Sequence, residues 1–177
     1  MNPSQFSYIN HCMRAAAGII FLNAACALAL PTDKNQNIVY SAKTATASQK
    51  EGTVILTGAV KLTQGSLEIN ADKITLHTDS NQKLETVTAE GSPARYQQQL
   101  EEGKPIVHAA ASSITYRLKK EQLTLDKNAF IEQNGATTKG GRIDYDVNNG
   151  SVKASGEGDE SGRVEFVIPP SQTDKKE

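Results

Sequence analysis

The stretch "GAVKLTQGSLEINADKITLH", residues Gly58–His77, decides the fold class because apolar and polar side chains alternate along it with a period of two. Leu67 and Ile69 keep one phase of this alternation, whereas Ile74 and Leu76 resume one residue out of phase. The alternation predicts strands with one apolar face. The phase slip predicts a bulge or a bend inside a strand.

The same period of two continues from Ile38 to Ile168, and no stretch beyond the N-terminal leader keeps a helical period. Clusters rich in Gly, Asn and Pro separate the apolar runs, as turns do. Pro93 and Pro105 are predicted to lie in these turns rather than inside strands, because proline cannot donate to a ladder. The pattern therefore predicts an all-β chain.

A faint internal repeat runs through the chain. Three segments share a small residue, two polar residues, an isoleucine, a polar residue and a large apolar residue: "ADKITLH" (Ala71–His77), "ASSITYR" (Ala111–Arg117) and "GGRIDYD" (Gly140–Asp146). Repeated strand units predict a stacked, solenoid-like β assembly. Chance similarity among alternating strands is the alternative.

The first 29 residues are predicted to be a secretory signal peptide. Arg14 precedes an apolar run that is too short to span a bilayer, and small residues allow cleavage after Ala27 or Ala29. Both cysteines, Cys12 and Cys26, would be lost with the leader, which would leave no disulfide. Lipidation of Cys26 is an alternative, but no branched apolar residue precedes it at the required position. We expect residues 30–168 to form one domain and residues 169–177 a disordered polar tail.

The composition offers little for catalysis or for nucleic-acid binding. A net charge of −1 shows no excess of basic residues. Beyond the leader only His77 and His108 could supply imidazole ligands, so no metal site and no cofactor are predicted. Glu68 and Asp72 could act as paired carboxylates in a small hydrolase, although a solvated strand face explains them more simply. We predict that the protein is not an enzyme and has no catalytic residues.

The apolar faces of the predicted strands consist of Val, Ile, Leu and Tyr, and the chain has no Trp. Two such faces folded over one another would form either a modest core or a groove. A groove with this lining would suit acyl chains, because it is apolar and tolerant of shape. The pattern alone leaves both alternatives open.

The opening stretch resembles the signature of the OstA-like family of lipopolysaccharide-transport proteins. The family pattern G-x-V-x-(V/L)-x-Q-G-x-(L/I)-x-(I/L)-x-A-D is present without a gap from Gly58 to Asp72. The likeness continues through "EGSPARYQQ" (Glu90–Gln98), "HAAASSITYRL" (His108–Leu118) and "LTLDKNAFIEQ" (Leu123–Gln133). It covers nearly all of the chain after the leader.

This resemblance implies a single β-taco, or β-jellyroll: about 16 antiparallel strands folded into a V with an apolar interior. It implies a periplasmic bridge protein that binds the lipid A acyl chains of lipopolysaccharide and carries them from the inner to the outer membrane. Copies would join head to tail and would pair their edge strands with an LptC-like inner-membrane partner and an LptD-like outer-membrane partner. The alternative function is a structural, self-polymerising β-solenoid without lipid cargo.

The resemblance also implies which side chains line the groove. Four positions follow from the family pattern: Ile38, Tyr96, Tyr116 and Leu118. The alternation adds twelve positions: Val54, Leu56, Val60, Leu62, Ile69, Ile74, Leu76, Ile114, Leu125, Ile131, Ile143 and Tyr145. Tyr40 and Lys43 depart from the family near the N-terminal edge. For every lining position, ordinary packing in a core is the alternative to lipid contact.

Overall fold

The computed structural model describes residues 33–100, 103–157 and 162–170. The predicted signal peptide, the cysteines and most of the predicted tail lie outside these ranges. Within them, a short 3-10 helix (Asp33–Asn35) precedes ten strands. The strands are β1 (Val39–Ser41), β2 (Thr44–Ser48), β3 (Thr53–Gln64), β4 (Leu67–Thr78), β5 (Leu84–Gln99), β6 (Ile106–Arg117), β7 (Gln122–Gln133), β8 (Ala136–Asp146), β9 (Ser151–Ser155) and β10 (Glu165–Val167). Among these residues no helix is long and apolar enough to cross a membrane.

All ten strands form one antiparallel sheet, which confirms the predicted all-β class. Strands β3 to β8 pair in chain order, as expected for successive hairpins. At one edge, β1 pairs with residues 61–63 of β3 and β2 pairs with residues 53–57 of the same strand. At the other edge, β9 pairs with residues 142–146 of β8 and β10 with residues 137–139. The sheet therefore has two halves, which we call the β2–β9 half and the β1–β10 half.

A line of register shifts, the crease, separates the two halves. The shifts fall between Thr57/Val60, Asn70/Lys73, Glu90/Ala94, Ala110/Ser113 and Asp126/Ala129 on successive strands. At the crease, Gly58 (φ +87°) and Asn128 (φ +55°) adopt left-handed backbone conformations. Glycine and asparagine both tolerate a positive φ. The phase slip after Ala71 was predicted from the sequence, and the bulge is confirmed.

All three copies of the internal repeat begin at this crease. Each of its three copies begins with a small residue at the bend of alternate strands, namely Ala71 on β4, Ala111 on β6 and Gly140 on β8. A small side chain at that point lets the chain bend without a steric clash. The repeated segments are therefore equivalent strands of one folded sheet.

The position predicted for Pro93 was wrong. Gly91, Ser92 and Pro93 lie inside β5, at the crease, and the Ser92–Pro93 peptide bond is cis. The register shift from Glu90 to Ala94 leaves the three residues without ladder partners. Because no ladder bond is needed there, the missing N–H of proline is tolerated.

The expected number of about sixteen strands is not confirmed, since the described residues contain ten. The physical reason is that the ladders on either side of the crease belong to continuous strands. Strands β3 to β8 are 11 to 16 residues long and each contributes a segment to both halves.

Two tyrosines show that the sheet folds over on itself at the crease. Tyr96 on β5 pairs with Ala109 on β6, and Tyr116 lies seven residues farther along β6. In a flat sheet this spacing would separate the two side chains by about 23 Å. Their ring centroids are instead 6.2 Å apart, in an edge-to-face arrangement. The two halves therefore face each other and share one hydrophobic cluster, as a V-shaped β-taco does.

Candidate functional site

The space between the two halves is the candidate site, and strand register determines which side chains enter it. Directly paired residues on neighbouring strands point to the same face of a sheet. In the β2–β9 half, the inward row next to the crease is bulky except for Ala89: Leu56, Ile74, Ala89, Ile114, Leu125 and Ile143. In the β1–β10 half, the corresponding row is small: Val60, Ala71, Ala94, Ala111, Ala129 and Gly140. Closing the sheet brings the bulky row over the small row, which allows dense packing.

A second inward row lies farther from the crease in each half. In the β2–β9 half it contains Val54, Leu76, Val87, Tyr116, Leu123 and Tyr145. In the β1–β10 half it contains Leu62, Ile69, Tyr96, Ala109, Ile131 and Thr138. The tyrosines are thus confined to the rows nearer the open edge of the V, which we call the mouth.

The structure brings all sixteen predicted lining residues to this one interior. Thirteen of them are at most 6% exposed. Ile38, Val54 and Leu118 are half-buried and pack against the same cluster. Lipid contact at these positions stays a prediction, because in the structure their side chains pack against one another.

The predicted lining set omitted nine further members of the interior. They are Leu67, Val87, Ala89, Ala94, Val107, Ala109, Ala111, Leu123 and Ala129, all buried. More than half are alanines, which produce a weak signal in any hydropathy pattern. For Val107, Ala109 and Ala111, their spacing of two was the signal that could have identified them.

A hydrogen-bond network lies at the outer rim of the β1–β10 half. Asp33, in the 3-10 helix, accepts hydrogen bonds from the backbone N–H (2.8 Å) and the Oγ (2.6 Å) of Ser66, and from Nε2 of Gln98 (2.8 Å). The hydroxyl of Tyr96 donates to Oε1 of Gln98 at 2.5 Å. The helix therefore ties the β3–β4 turn to the end of β5 beside the paired tyrosine rings.

Gly65 makes this approach possible. Its φ is +60°, and a Cβ at this position would lie 3.1 Å from the Cα of Asp33 and would contact its carboxylate still more closely. Only glycine combines this backbone conformation with so little volume.

The interior is a poor environment for charge. Burial raises the pKa of Tyr96, of Tyr116 and of Tyr145 above the ordinary value of 10, because the phenolate form is penalised. The nearby carboxylate of Asp33 raises the pKa of Tyr96 and Tyr116 further. The three phenols are therefore neutral at pH 7 and can both donate and accept hydrogen bonds.

The two edges of the sheet expose apolar side chains. At the β1 edge, Val39 and Tyr40 are 61% and 47% exposed. At the opposite edge, Val152, Phe166 and Ile168 are exposed, the last two by 59% and 83%. Within the described ranges no strand pairs with the far side of β1, β2, β9 or β10. Both edges therefore combine unpaired backbone groups with apolar surface, as strand-pairing interfaces do.

The outward face does not support the hydrolase alternative. Oε1 of Glu68 accepts a hydrogen bond from Nδ2 of Asn70 (2.7 Å), and its Oε2 lies 3.0 Å from Nζ of Lys61. These contacts, with the Asn70 hydrogen bond first, lower the pKa of Glu68, whereas a general acid needs a raised one. In the described part of the chain, no three His, Cys, Asp or Glu side chains are grouped so that they could hold a metal ion.

Comparison with known proteins gives a family match. The family described as "LptA/(LptD N-terminal domain) LPS transport protein" matches residues 40–151. The chain is 39% identical over 153 residues to the lipopolysaccharide export system protein LptA of Haemophilus influenzae, covering 85% of this chain and 87% of that protein. It is 33% identical over 151 residues to LptA of Escherichia coli K12, covering 85% and 80%.

A solved structure matches the fold as well. The crystal structure of LptH from Pseudomonas aeruginosa superposes with a TM-score of 0.73 at 31% sequence identity, covering 79% of this chain and all of that one. LptH is described there as the LptA homologous periplasmic component of the conserved lipopolysaccharide transport device.

Proposed function

Because the chain belongs to the LptA/LptD N-terminal-domain family of lipopolysaccharide transport proteins, we propose that it binds the acyl chains of lipopolysaccharide between the two halves of its sheet. In this proposal the protein acts in the periplasm, without a catalytic step, and passes its cargo from the inner towards the outer membrane. Head-to-tail contact between copies would make one groove continue into the next.

The observation that carries the proposal is the uniform apolar interior. Its inward rows run across every strand position from β3 to β8, so that one apolar path joins the two edges of the sheet. Each methylene removed from water contributes about 0.8 kcal/mol, which is enough for several chains to be held. Because the lining is mainly aliphatic, neighbouring positions offer similar contact energies and a bound chain can slide.

Loading requires the two halves to separate, since their own side chains fill the interior. The ladders of the described strands all join neighbours within the sheet. The mouth can therefore widen, with the crease as a hinge, without breaking a ladder. Opening would cost the packing between the halves, and bound acyl chains would replace that packing.

The two open edges support the head-to-tail part of the proposal. An exposed edge can extend a sheet by adding a strand from another protein. Contact between the β1/β2 edge of one copy and the β9/β10 edge of another is heterologous, so that it continues into an open chain. An LptC-like and an LptD-like partner would cap the two ends of such a chain.

Site-specific photo-crosslinking tests the cargo. A photo-reactive amino acid replaces Leu62, which points inward, or its outward neighbour Lys61 on the same strand. We expect purified lipopolysaccharide to crosslink at position 62 and not at position 61. Circular dichroism shows whether each variant retains its β structure. A folded variant that captures no lipid at position 62, or equal amounts at both, would contradict the proposal.

A second measurement tests assembly. Phe166→Asp places a charge on the exposed β10 edge, and light scattering should show smaller assemblies than for the unmodified protein. Ile55→Asp is the matched control, because Ile55 is also apolar and exposed but lies on the outward face of β3. Assemblies that form without any lipid capture would favour the structural polymer instead.

A further inference from the structure

The hydroxyl of Tyr145 has no hydrogen-bond partner among the described residues. The side chain of Tyr145 is 1% exposed, and its hydroxyl forms no hydrogen bond with any described residue. Tyr145 pairs with Leu123 on β7 and with Val152 on β9, so that it belongs to the inward row of the β2–β9 half. Its unsatisfied hydroxyl therefore lies in an apolar space, on the strand next to the β9 edge.

The other central tyrosine provides a direct contrast. Tyr96 is also buried, at 2% exposed, but its hydroxyl donates to Oε1 of Gln98. A buried hydroxyl without a partner destabilises a protein, and phenylalanine would fill the same volume without that cost. The Tyr145 hydroxyl is thus a polar atom that packing within the described fold does not require.

We propose that the Tyr145 hydroxyl recognises an oxygen atom on the bound acyl chain, either a chain hydroxyl or the carbonyl of its ester or amide linkage. This inference rests on the proposed lipid-binding function. A neutral phenol can donate to a carbonyl and can accept from a hydroxyl, so that it suits both sources. The groove would then favour oxygenated acyl groups over plain hydrocarbon chains, and Tyr145 would determine that preference near the β9 edge.

The test uses Tyr145→Phe with two probes, methyl tetradecanoate and methyl 3-hydroxytetradecanoate. Both have an ester carbonyl, and only the second has a chain hydroxyl. Affinity is measured by displacement of a fluorescent fatty acid from the full mature chain. We expect the variant to bind the hydroxylated probe about fivefold more weakly than the unmodified protein does, as for one neutral hydrogen bond.

Comparing the loss of affinity for the two probes shows which oxygen atom of the acyl chain Tyr145 contacts. A loss confined to the hydroxylated probe assigns the chain hydroxyl, and an equal loss for both probes assigns the carbonyl. Unchanged affinity for both probes overturns the inference while leaving the proposed function intact. If the unmodified protein binds neither probe, the proposed function and the inference both fail.

Thermal unfolding without ligand provides an independent readout. Tyr145→Phe removes an unpaired hydroxyl and should raise the Tm, whereas Tyr96→Phe removes a bonded one and should lower it. A Tm for Tyr145→Phe that falls as far as that of the Tyr96 control would show that the hydroxyl already has a partner in the free protein. That result would overturn the inference.

Discussion

Two neighbouring residues on β3 test the assignment of inward and outward faces. Leu56 is 0% exposed and pairs with Ile74, whereas Ile55 is 38% exposed and points to the outward face. Truncating a fully buried leucine to alanine typically costs 3 to 5 kcal/mol, part of it from the cavity that remains. The two halves can close partly around a cavity, so we expect Leu56→Ala to lower the free energy of unfolding by about 3 kcal/mol. Ile55→Ala should lower it by less than about 1 kcal/mol.

Urea denaturation followed by circular dichroism measures both losses, at a protein concentration low enough to avoid assembly. For a domain of this size, a loss of about 3 kcal/mol corresponds to a decrease of roughly 10 °C in Tm. The m-value should stay unchanged, because neither substitution alters the surface that unfolding exposes. Equal losses for Leu56→Ala and Ile55→Ala would refute the assignment of faces, and with it the apolar interior on which the proposed function depends.

Three further perturbations address the crease, the turns and the mouth. In Gly140→Ala the new Cβ would lie 2.7 Å from the backbone oxygen of Ser155, so that β9 must shift; thermal unfolding should show a loss of about 1 to 3 kcal/mol. Nζ of Lys119 donates to Asp79 at 2.9 Å and, with backbone donors, lowers the pKa of Asp79 from 3.8 to about 2. The interactions of ionised Asp79 therefore stabilise the fold above pH 3.8, and this stabilisation is lost as the pH falls towards 2. When stability is measured against pH, Asp79→Asn should lose less stability over this range than the unmodified protein does. Asp33→Ala removes three hydrogen bonds at the mouth and should speed uptake of a fluorescent fatty acid in stopped-flow measurements; an unchanged rate would show that the 3-10 helix does not restrict entry.

The alternation of side chains was sufficient to predict the strands and their apolar faces. Each strand's face depends on local chemistry, because successive side chains point to opposite sides whatever the strand pairs with. For the same reason the phase slip between Ala71 and Ile74 revealed a bend before any partner strand was known. All sixteen residues expected inside do lie in one interior.

Other features could not be read from the sequence, because they depend on residues that are far apart along the chain. Pro93 has the local chemistry of a turn and is tolerated inside β5 only because neighbouring strands also shift register at the crease. The alanines next to the crease can be recognised as interior residues only from the bulky row that they face in the folded sheet. Asp33 ties the β3–β4 turn to the end of β5 through partners 33 and 65 residues away.

The sequence by itself therefore determined the strand class, the inward face of each strand and the family, since all three are encoded in local spacing and motif. Only the tertiary structure decided that the crease aligns across successive strands and that two faces of one sheet meet. It also decided that the hydroxyl of Tyr145 has no hydrogen-bond partner in the described part of the chain. These outcomes depend on which atoms meet when the sheet folds over on itself, and no single stretch of the chain contains that information.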